Sequence, residues 1–397
     1  MNRSKKKILI TTYIYYPLNS PRAFRITALA RKLAERGHDI TVVTADINYD
    51  YCEHTKATNV KVETIKTGYL LNKKLAGKVE TAKSAKPVNK SSFKRKVKSV
   101  VRRSLFYFIP DGHLFEYSVS LRQHLKRTDL NQYDVIISNS HPFAVHLGTA
   151  LALKNFKNVS IAETGDPHFF NLFKLAPYQK SIESWVLSKF SYITIPVEKA
   201  LSDYEKLNVV EKVKVIPHGF YFDEVNTFDR NNEISSPISF SFAGRLYKNI
   251  RDPSKFLDYL YSQHAQTDYT FTIYTDFSNR ESMELLEPYY VKLGSKLIVN
   301  PLIPREECIY QLSKSDFLIN IANTTANQTP SKLIDYTLTS RPILTVTNDF
   351  NESGLFEQFN KGNFDSYQAM DISQFDINQI TMQFEELFNS PVHAEQK

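Results

Sequence analysis

Cysteine and glycine are scarce in this sequence of 397 residues. The two cysteines, Cys52 and Cys308, stand alone, without a CxxC pattern or a cysteine–histidine cluster, so the sequence indicates neither a disulfide framework nor a zinc site. Two isolated cysteines suit a reducing compartment, which makes the cytoplasm the expected setting.

Long apolar runs are also missing. The basic residues 1–7 are followed by an apolar stretch of three residues, which is too short for the core of a signal peptide. No run of about 18 apolar residues occurs, so we expect no membrane-spanning helix. These signals give no indication of secretion.

Excess positive charge is confined to one segment. The net charge of the chain is +8, but residues 73–103 alone hold twelve Lys or Arg and one acid, Glu80, for a local charge of +11. The rest of the chain therefore carries −3. This distribution weakens a general nucleic-acid-binding role, because one segment and not the whole surface is basic.

Apolar and aromatic residues, at 42% and 13% of the chain, are abundant enough for folded domains, and the length predicts two of them. Residues 7–12 predict a buried strand, 22–36 a helix with one apolar stripe, and 40–44 a second strand. Together they make a βαβ unit, which forms a parallel sheet. The fold class is therefore α/β.

The same alternation continues to residue 217 and begins again at residue 238. Segment 217–236 between the two series contains the Asn, Asp, Ser and Pro typical of a linker. We therefore expect two doubly wound domains, with substrates in the cleft between them, beyond the carboxyl ends of the strands. The sequence also predicts an amphipathic helix over residues 375–388.

Residues 330–344 are the most informative stretch. They predict an exposed turn, a short helix with Asp335 on its first turns, an Arg-Pro stop and a buried strand. Backbone N–H groups at the start of a helix can face a phosphate, while a neighbouring carboxylate accepts hydrogen bonds from sugar hydroxyls. A nucleotide-sugar site is the hypothesis that follows.

Taken in order, five segments resemble a retaining GT-B glycosyltransferase of the family-4 type (glycosyl transferases group 1), over nearly the full length. The segments are residues 25–44, 215–219, 242–245, 316–319 and 330–344. This family has two acids eight positions apart, and here Asn327 and Asp335 occupy those positions. Gln-Thr-Pro follows Asn327 where the family usually has Gly-Phe-Gly.

The resemblance implies the domain organisation and the activity. Residues 1–218 would form a Rossmann-like acceptor domain with the basic segment as an insertion at 73–110. Residues 219–372 would form a Rossmann-like nucleotide-sugar domain, and 373–397 a C-terminal helix that packs back on the first domain. The implied enzyme is a hexosyltransferase that transfers a sugar with retention from a nucleotide sugar to an acceptor, without a cofactor or bound metal.

Three cations after one strand are candidates for the donor side. Arg245, Lys248 and Arg251 stand where a leaving nucleoside diphosphate would need positive charge, and the resemblance favours Arg245, with Arg251 or Lys248 as the second cation. A solvated basic turn is the alternative. With no carboxylate that can be nominated as a nucleophile, the expected mechanism lets the leaving phosphate take the proton of the acceptor hydroxyl.

Further donor contacts are expected around the acidic helix. Asp335 would accept both ribose hydroxyls, or it is an ordinary exposed helix acid. Asn327 would lie near the hydroxyls of the donor sugar, and Ser331 is placed with it. Lys332 either approaches the diphosphate or is solvated.

His141 follows a strand and resembles the position of a family histidine near the donor sugar, so the resemblance implies a catalytic role; a plain loop residue is the alternative. Glu163, Asp166 and His168 follow the next strand, and we favour Asp166 as an acceptor-side group over a structural turn. Arg22 is assigned to the acceptor side as well.

The basic segment ends in the aromatic residues of 104–110, a composition that favours contact with an anionic membrane; a solvated insertion is the alternative. Nucleic acid is disfavoured because the aromatics are clustered. We therefore expect an enzyme on the inner face of the cell membrane, with a lipid-linked or surface-polysaccharide acceptor. A nucleotide-sugar epimerase of the same fold and a non-catalytic membrane or assembly scaffold remain alternatives.

Overall fold

The computed structural model describes residues 4–18, 20–67, 104–170, 175–222, 225–229, 234–264, 267–323 and 331–389. The basic segment up to Arg103 and the predicted donor contact Asn327 lie outside these residues. The chain divides into two compact units: unit 1 is Met1–Phe220 with Gln374–Lys397, and unit 2 is Tyr221–Ser373. None of the helices in the described ranges is long and apolar enough to cross a bilayer.

One parallel sheet organises the described part of unit 1. Its strands are β1 (Lys7–Thr11), β2 (Asp39–Ala45), β3 (Val60–Ile65), β4 (Val135–Asn139), β5 (Val159–Glu163), β6 (Tyr192–Ile195) and β7 (Val213–Val215). Their spatial order is β3-β2-β1-β4-β5-β6-β7, and every neighbouring pair is parallel. Every residue of the central strand β4 is buried, as expected when both faces of a sheet are covered.

Helices connect these strands. They are α1 (Pro21–Glu35), α2 (Cys52–Thr58), α3 (Phe115–Arg127), α4 (Ala144–Ala150), α5 (Tyr178–Ser188) and α6 (Leu201–Lys206). Helix α1 begins where the Ser20 side chain accepts a hydrogen bond from the N–H of Ala23 (3.2 Å). It ends before Gly37, whose φ of +94° favours glycine.

A second parallel sheet organises the described part of unit 2. Its strands are β8 (Ile238–Ala243), β9 (Tyr269–Thr275), β10 (Leu297–Pro301), β11 (Phe317–Ile321) and β12 (Ile343–Val346), in the order β10-β9-β8-β11-β12. Its helices are α7 (Ser254–Gln263), α8 (Arg280–Leu293), α9 (Arg305–Leu312), α10 (Ser331–Leu338) and α11 (Ser353–Asn360). Phe240 stacks on Phe271 and on Phe317 at 4.9 Å in each case, contacts that contribute about 1 kcal/mol each beyond burial. The predicted pair of doubly wound α/β sheets is confirmed.

The final helix, α12 (Ile377–Asn389), belongs to unit 1 and packs against α1. The N–H of Ile377 donates to the carbonyl of Phe220 (3.0 Å), so the two chain segments that enter and leave unit 2 are joined at this point. Arg36 donates to Glu385 through Nε and Nη2 at 2.6 and 2.8 Å. A bidentate ion pair of this kind fixes the helix in position.

Candidate active site

Both sheets have a point where the strand order reverses. In unit 1 this point lies between β1 and β4, and in unit 2 between β8 and β11. Loops that leave the carboxyl ends of the strands there run to opposite faces of the sheet, and ligands of α/β proteins bind in the crevice between them. The predicted site residues in the described ranges follow β1, β4 or β5 in unit 1 and β8 or β11 in unit 2.

In unit 2, Arg245 directly follows the end of β8, after Gly244 with a φ of +141°. Its Nε and Nη2 donate to Oδ2 of Asp276, at the end of β9, at 3.0 and 2.7 Å. The arginine side chain is 53% exposed, so it is held at one side and open to solvent at the other. Lys248 is exposed, and its backbone N–H donates to Glu281 (2.9 Å).

Arg251 spans the switch point of unit 2. Its Nε and Nη2 donate to Oδ1 of Asn323, which follows β11, at 3.1 and 2.8 Å, and its Nη1 donates to the carbonyl of Arg245 (3.1 Å). Burial lowers the pKa of Arg251, because a charged guanidinium loses hydration there. An arginine remains charged under these conditions, so this position is electrostatically prepared for an anion.

Lys332 is half-buried, which disfavours the solvated alternative. Its ammonium lies 4.6 Å from the ring centroid of Phe242 and 3.4 Å from the carbonyl oxygen of Ile321. Burial lowers its pKa well below the usual value, and the charge of Arg251 adds to this effect. Unit 2 therefore holds a lysine amine packed on an aromatic face beside Arg251.

Asp335 is paired with an arginine that the sequence did not single out. Nε and Nη2 of Arg305, the first residue of α9, donate to Oδ1 of Asp335 at 2.8 and 2.6 Å. Burial raises the pKa of Asp335, and the charge and hydrogen bonds of Arg305 oppose this rise. Both bonds use one oxygen, so the carboxylate keeps acceptor capacity on Oδ2. The exposed-acid alternative is wrong for this residue.

In unit 1, the ends of β4 and β5 bring Asn139 and Glu163 together, and the Asn139 side-chain amide donates to Oε2 of Glu163. Oε1 of the same carboxyl lies 3.5 Å from Nδ1 of His218. Burial raises the pKa of Glu163 to about 6, while the bond from Asn139 and the charges of Arg25 and Arg22 oppose the rise. This carboxyl is ionised at neutral pH and is within reach of protonation.

Glu163 and Arg25 line a pocket in unit 1. Its wall includes Asn139 and His218, and α12 contributes Ile377. The Nε of Arg25 is buried and meets no acceptor among the described residues. Burial lowers the pKa of His218 well below its usual value, so this imidazole is neutral. The pocket therefore combines a carboxylate, a neutral imidazole and an arginine, a set suited to binding hydroxyl groups.

The three predicted residues of unit 1 lie beside this pocket. Burial lowers the pKa of His141 to about 3, with the charge of Arg22 as the next cause, so its ring is neutral. Burial also lowers the pKa of Arg22. Nearby carboxylates oppose this shift, and Asp166 contributes most among them. The structure therefore gathers Arg22, Asp166 and His141 at one edge, with Glu163 and Arg25 added.

Buried groups hold the loop after β5 in place. The two carboxylate oxygens of Glu183, on α5, accept from the N–H groups of His168 (2.6 Å) and Phe169 (2.7 Å). The ring of His168 stacks on Phe143 at 4.6 Å, and its Nε2 lies 2.9 Å from Gln179. His168 is therefore part of the support of this loop and not a group presented to a ligand.

Several of these residues were missed at the sequence level. Some of them are far in sequence from the residues they pair with, and sequence gives no signal for such pairs. These are Arg305, Asn323 and Asp276. Arg25 could have been found, because it lies one helical turn after Arg22 on the same side of α1. His218 could have been found too, since it lies within the segment 215–219 that carries part of the family resemblance.

Two doubly wound parallel α/β sheets are the architecture of GT-B glycosyltransferases. The family model described as Glycosyltransferase Family 4 matches residues 23–224, about half of the chain, and the protein belongs to that family. Among curated proteins, none matches this sequence.

Solved structures share the fold at low sequence identity. HepE from Anabaena, in complex with UDP-glucose, is 12% identical, with 96% of this chain and 98% of HepE covered and a TM-score of 0.61. TarM from S. aureus, in a complex that contains UDP, is 10% identical, with 97% and 100% covered and a TM-score of 0.60. A putative UDP-N-acetylglucosamine 2-epimerase from Listeria monocytogenes is 10% identical, with 98% of each chain covered and a TM-score of 0.54.

Proposed function

We propose that this glycosyltransferase transfers a sugar with retention of configuration from a nucleotide sugar to a glycan acceptor. The observation that carries the proposal is Arg251, a half-buried arginine that joins the loops after β8 and β11 and has Lys332 beside it. Two partly dehydrated cations at a switch point are prepared for a diphosphate leaving group. The diphosphate would bind at these cations and the acceptor would bind at the edge of unit 1.

The donor is proposed to be a uridine nucleotide sugar, by analogy with the nucleotides present in the HepE and TarM structures. Asp335 would accept a hydrogen bond from a ribose hydroxyl through Oδ2 while Arg305 holds Oδ1. Asn327 and Ser331 remain proposed donor contacts.

In the proposed reaction, the bond between the anomeric carbon and the diphosphate oxygen breaks on the face that the acceptor hydroxyl attacks. The proton of that hydroxyl passes to the leaving diphosphate, so no protein carboxylate has to act as a nucleophile. Arg251, Lys332 and Arg245 would neutralise the charge that develops on the diphosphate without a metal ion. Asp166 and Arg22 would position the acceptor, and His141 would act as a catalytic residue beside the donor sugar.

The test is turnover of purified protein against a panel of UDP-, GDP- and ADP-sugars, with release of the nucleoside diphosphate as readout. NMR of the product decides between retention and inversion, and EDTA should leave the rate unchanged. No turnover and no calorimetric binding of any nucleotide sugar would contradict the proposal and favour the scaffold alternative. Arg280→Ala, an exposed arginine of unit 2 paired with Glu284, is the matched control for arginine substitutions.

A nucleotide-sugar epimerase remains the second candidate, because Glu163, with a pKa raised to about 6, is a carboxyl that acid–base chemistry on a sugar would need. The assay that separates the two is incubation with the nucleotide sugar alone. An epimerase converts the sugar while it stays linked to the nucleotide, or releases it without an acceptor. A glycosyltransferase needs the acceptor for turnover above slow hydrolysis.

We also propose that the enzyme works at the inner face of the cell membrane on a lipid-linked or surface-polysaccharide intermediate. The support is the charge of residues 73–103 together with Phe108, which follows them and is 59% exposed. Flotation with vesicles that contain anionic lipid should be lost when the charges between Lys94 and Arg103 are reversed. Unchanged flotation would contradict the membrane contact and leave the transferase proposal intact.

A further inference from the structure

Aromatic rings cluster at the carboxyl ends of β1 and β2, outside the pocket described above. The ring of Tyr16 stacks on His54 with centroids 4.4 Å apart and planes at 16°, and Tyr49 meets Tyr16 edge to face at 5.8 Å. The hydroxyl of Tyr51 donates to the carbonyl of Tyr16 (2.6 Å). We call Tyr16, Tyr49, Tyr51 and His54 the Tyr16 platform.

One side of the Tyr16 platform is packed against buried residues, and Tyr16 is partly exposed to solvent. His54 is buried, and its Nε2 lies 3.1 Å from the hydroxyl of the buried Tyr15. Tyr16 is nevertheless 39% exposed, with His54 stacked on one face of its ring. The result is a flat, preorganised ring surface.

The platform lies on the same edge as the acceptor-side residues. β1 lies between β2 and β4, so the loops that carry Tyr16 and Tyr49 leave the same edge of the sheet as the loop that carries His141, on the other side of the switch point. Tyr16 follows β1, and two strand spacings, about 10 Å, separate β1 from β5, which carries Glu163. A ligand that touches both the platform and Glu163 therefore has to be longer than one sugar ring.

The local chemistry selects among possible occupants. Residues 46–56, which carry most of the platform, hold three acids, Asp46, Asp50 and Glu53, against one base, Lys56, for a charge of −2. This charge opposes phosphate-rich ligands such as nucleic acid and anionic membrane lipids. Tyrosine offers an apolar ring face with a polar hydroxyl at its rim, which matches a sugar ring with its C–H face and its equatorial hydroxyls.

From this geometry we infer that Tyr16, supported by His54 and Tyr49, is a stacking subsite for a neutral sugar unit of the acceptor. The enzyme then recognises an oligosaccharide or glycan chain, with one unit on the platform while the reacting end lies near Glu163. The inference rests on the proposed function, since it names the class of acceptor for the same edge of unit 1.

The experiment compares Tyr16→Ala, Tyr16→Phe and the wild type, using an array of neutral mono- to hexasaccharides of glucose, galactose, mannose and N-acetylglucosamine as probes. We expect Tyr16→Ala to weaken binding of the longer members roughly tenfold and to leave monosaccharide binding unchanged, while Tyr16→Phe, which keeps the ring, stays close to the wild type. Tyr261→Ala, which removes an exposed tyrosine of unit 2, is the matched control. Melting temperatures verify that each variant folds.

Two further readouts separate the possible failures. Release of nucleoside diphosphate without an acceptor should be the same in Tyr16→Ala and the wild type, so loss of this reaction in all variants is a failure of the proposed function and not of the subsite. Equal binding of long and short oligosaccharides by Tyr16→Ala and wild type, or no binding by either, would overturn the subsite. Loss of vesicle flotation in Tyr16→Ala with unchanged oligosaccharide binding would overturn it in favour of membrane contact.

Discussion

The two switch-point edges differ in how they handle charge. At the edge of unit 2 the half-buried basic groups are Arg251 and Lys332, and the charge of Arg251 helps to lower the pKa of Lys332. At the edge of unit 1 a carboxyl with a pKa of about 6 lies among neutral histidines and two arginines. The same α/β scaffold therefore presents a basic edge in one unit and an edge of mixed charge in the other.

This difference assigns separate chemical tasks to the two units. A diphosphate gains charge when it leaves, and fixed cations in a poorly hydrated place stabilise that charge strongly. An acceptor hydroxyl is neutral before it reacts and needs acceptors and donors at fixed positions. A substitution at one edge should therefore change the binding or kinetics of its own ligand and leave the ligand of the other edge unaffected.

The largest effect is expected for Arg251→Ala, because this substitution removes a half-buried cation and the link between the loops after β8 and β11. We expect kcat to fall about 10²- to 10³-fold, with affinity for the acceptor unchanged. Steady-state kinetics measure both quantities. Arg251→Lys should recover only part of the rate, since it keeps the charge and loses the planar fork.

The control for this substitution is Arg280→Ala, which removes an exposed arginine and should keep wild-type kinetics. If kcat of Arg251→Ala stayed within threefold of the wild type, the edge of unit 2 would not have the proposed role of stabilising the leaving diphosphate.

Asp335→Asn tests the nucleotide part of the same edge. The substitution keeps the shape and removes the charge that would accept from the ribose and from Arg305. We expect the dissociation constant of UDP to rise roughly 10- to 100-fold, measured by calorimetry. Glu306→Gln, an exposed neighbour on α9, should have little effect, and equal losses in both variants would indicate a general charge effect.

Glu163→Gln tests the edge of unit 1 through pH. Because folding raises the pKa of Glu163 from about 4.5 to about 6, the folded state binds more protons than the unfolded state in this range. The stability of the wild type should therefore fall by about 2 kcal/mol as pH rises from 4 to 7, relative to the glutamine variant. Urea denaturation at pH 4, 5, 6 and 7 measures this difference.

Glu163→Gln should also change the pH dependence of activity, and this effect lies at acidic pH. If the ionised carboxylate binds the acceptor, kcat/KM of the wild type rises with pH up to about 6 and then levels off. The glutamine variant should lack this limb, and its UDP affinity should equal that of the wild type. An identical acidic limb in both proteins would assign the titration to another group.

The smallest effect is expected for Glu385→Gln, which weakens the bidentate pair with Arg36 and leaves both edges unchanged. Loss of one charge-assisted pair should cost about 1–2 kcal/mol of stability and no more than a few degrees in melting temperature. Glu53→Gln, from an exposed pair with Lys56, should cost less than about 0.5 kcal/mol. Loss of activity in Glu385→Gln at a temperature where it is folded would show that α12 does more than stabilise unit 1.

The fold could be predicted because its signals are local. Ile8, Leu9 and Ile10 form a short apolar run followed by an amphipathic helix, and a parallel sheet is the arrangement that buries both. Helix α8 was not predicted, and it contains Pro288, a residue that sequence rules associate with helix ends.

The site could be predicted only in part, because its partners are distant in sequence. Asp335 was found from its place on a short helix, but Arg305, thirty residues earlier, was not. Glu163 was considered and passed over for Asp166, because its raised pKa depends on burial that only the folded chain provides. Lys332 was expected to be either a ligand contact or solvated, and packing on Phe242 decides against solvation.

The late position of α12 in the sequence affects how the protein can be made. Unit 2 is one continuous stretch, whereas unit 1 needs Ile380 and Phe384 of α12 to complete a core that includes Ile26 and Leu29. During synthesis unit 2 has all its residues before unit 1 can finish folding. A ribosome that stops before residue 377 therefore releases a chain with an uncovered apolar stripe, which makes it a target for chaperones and proteases.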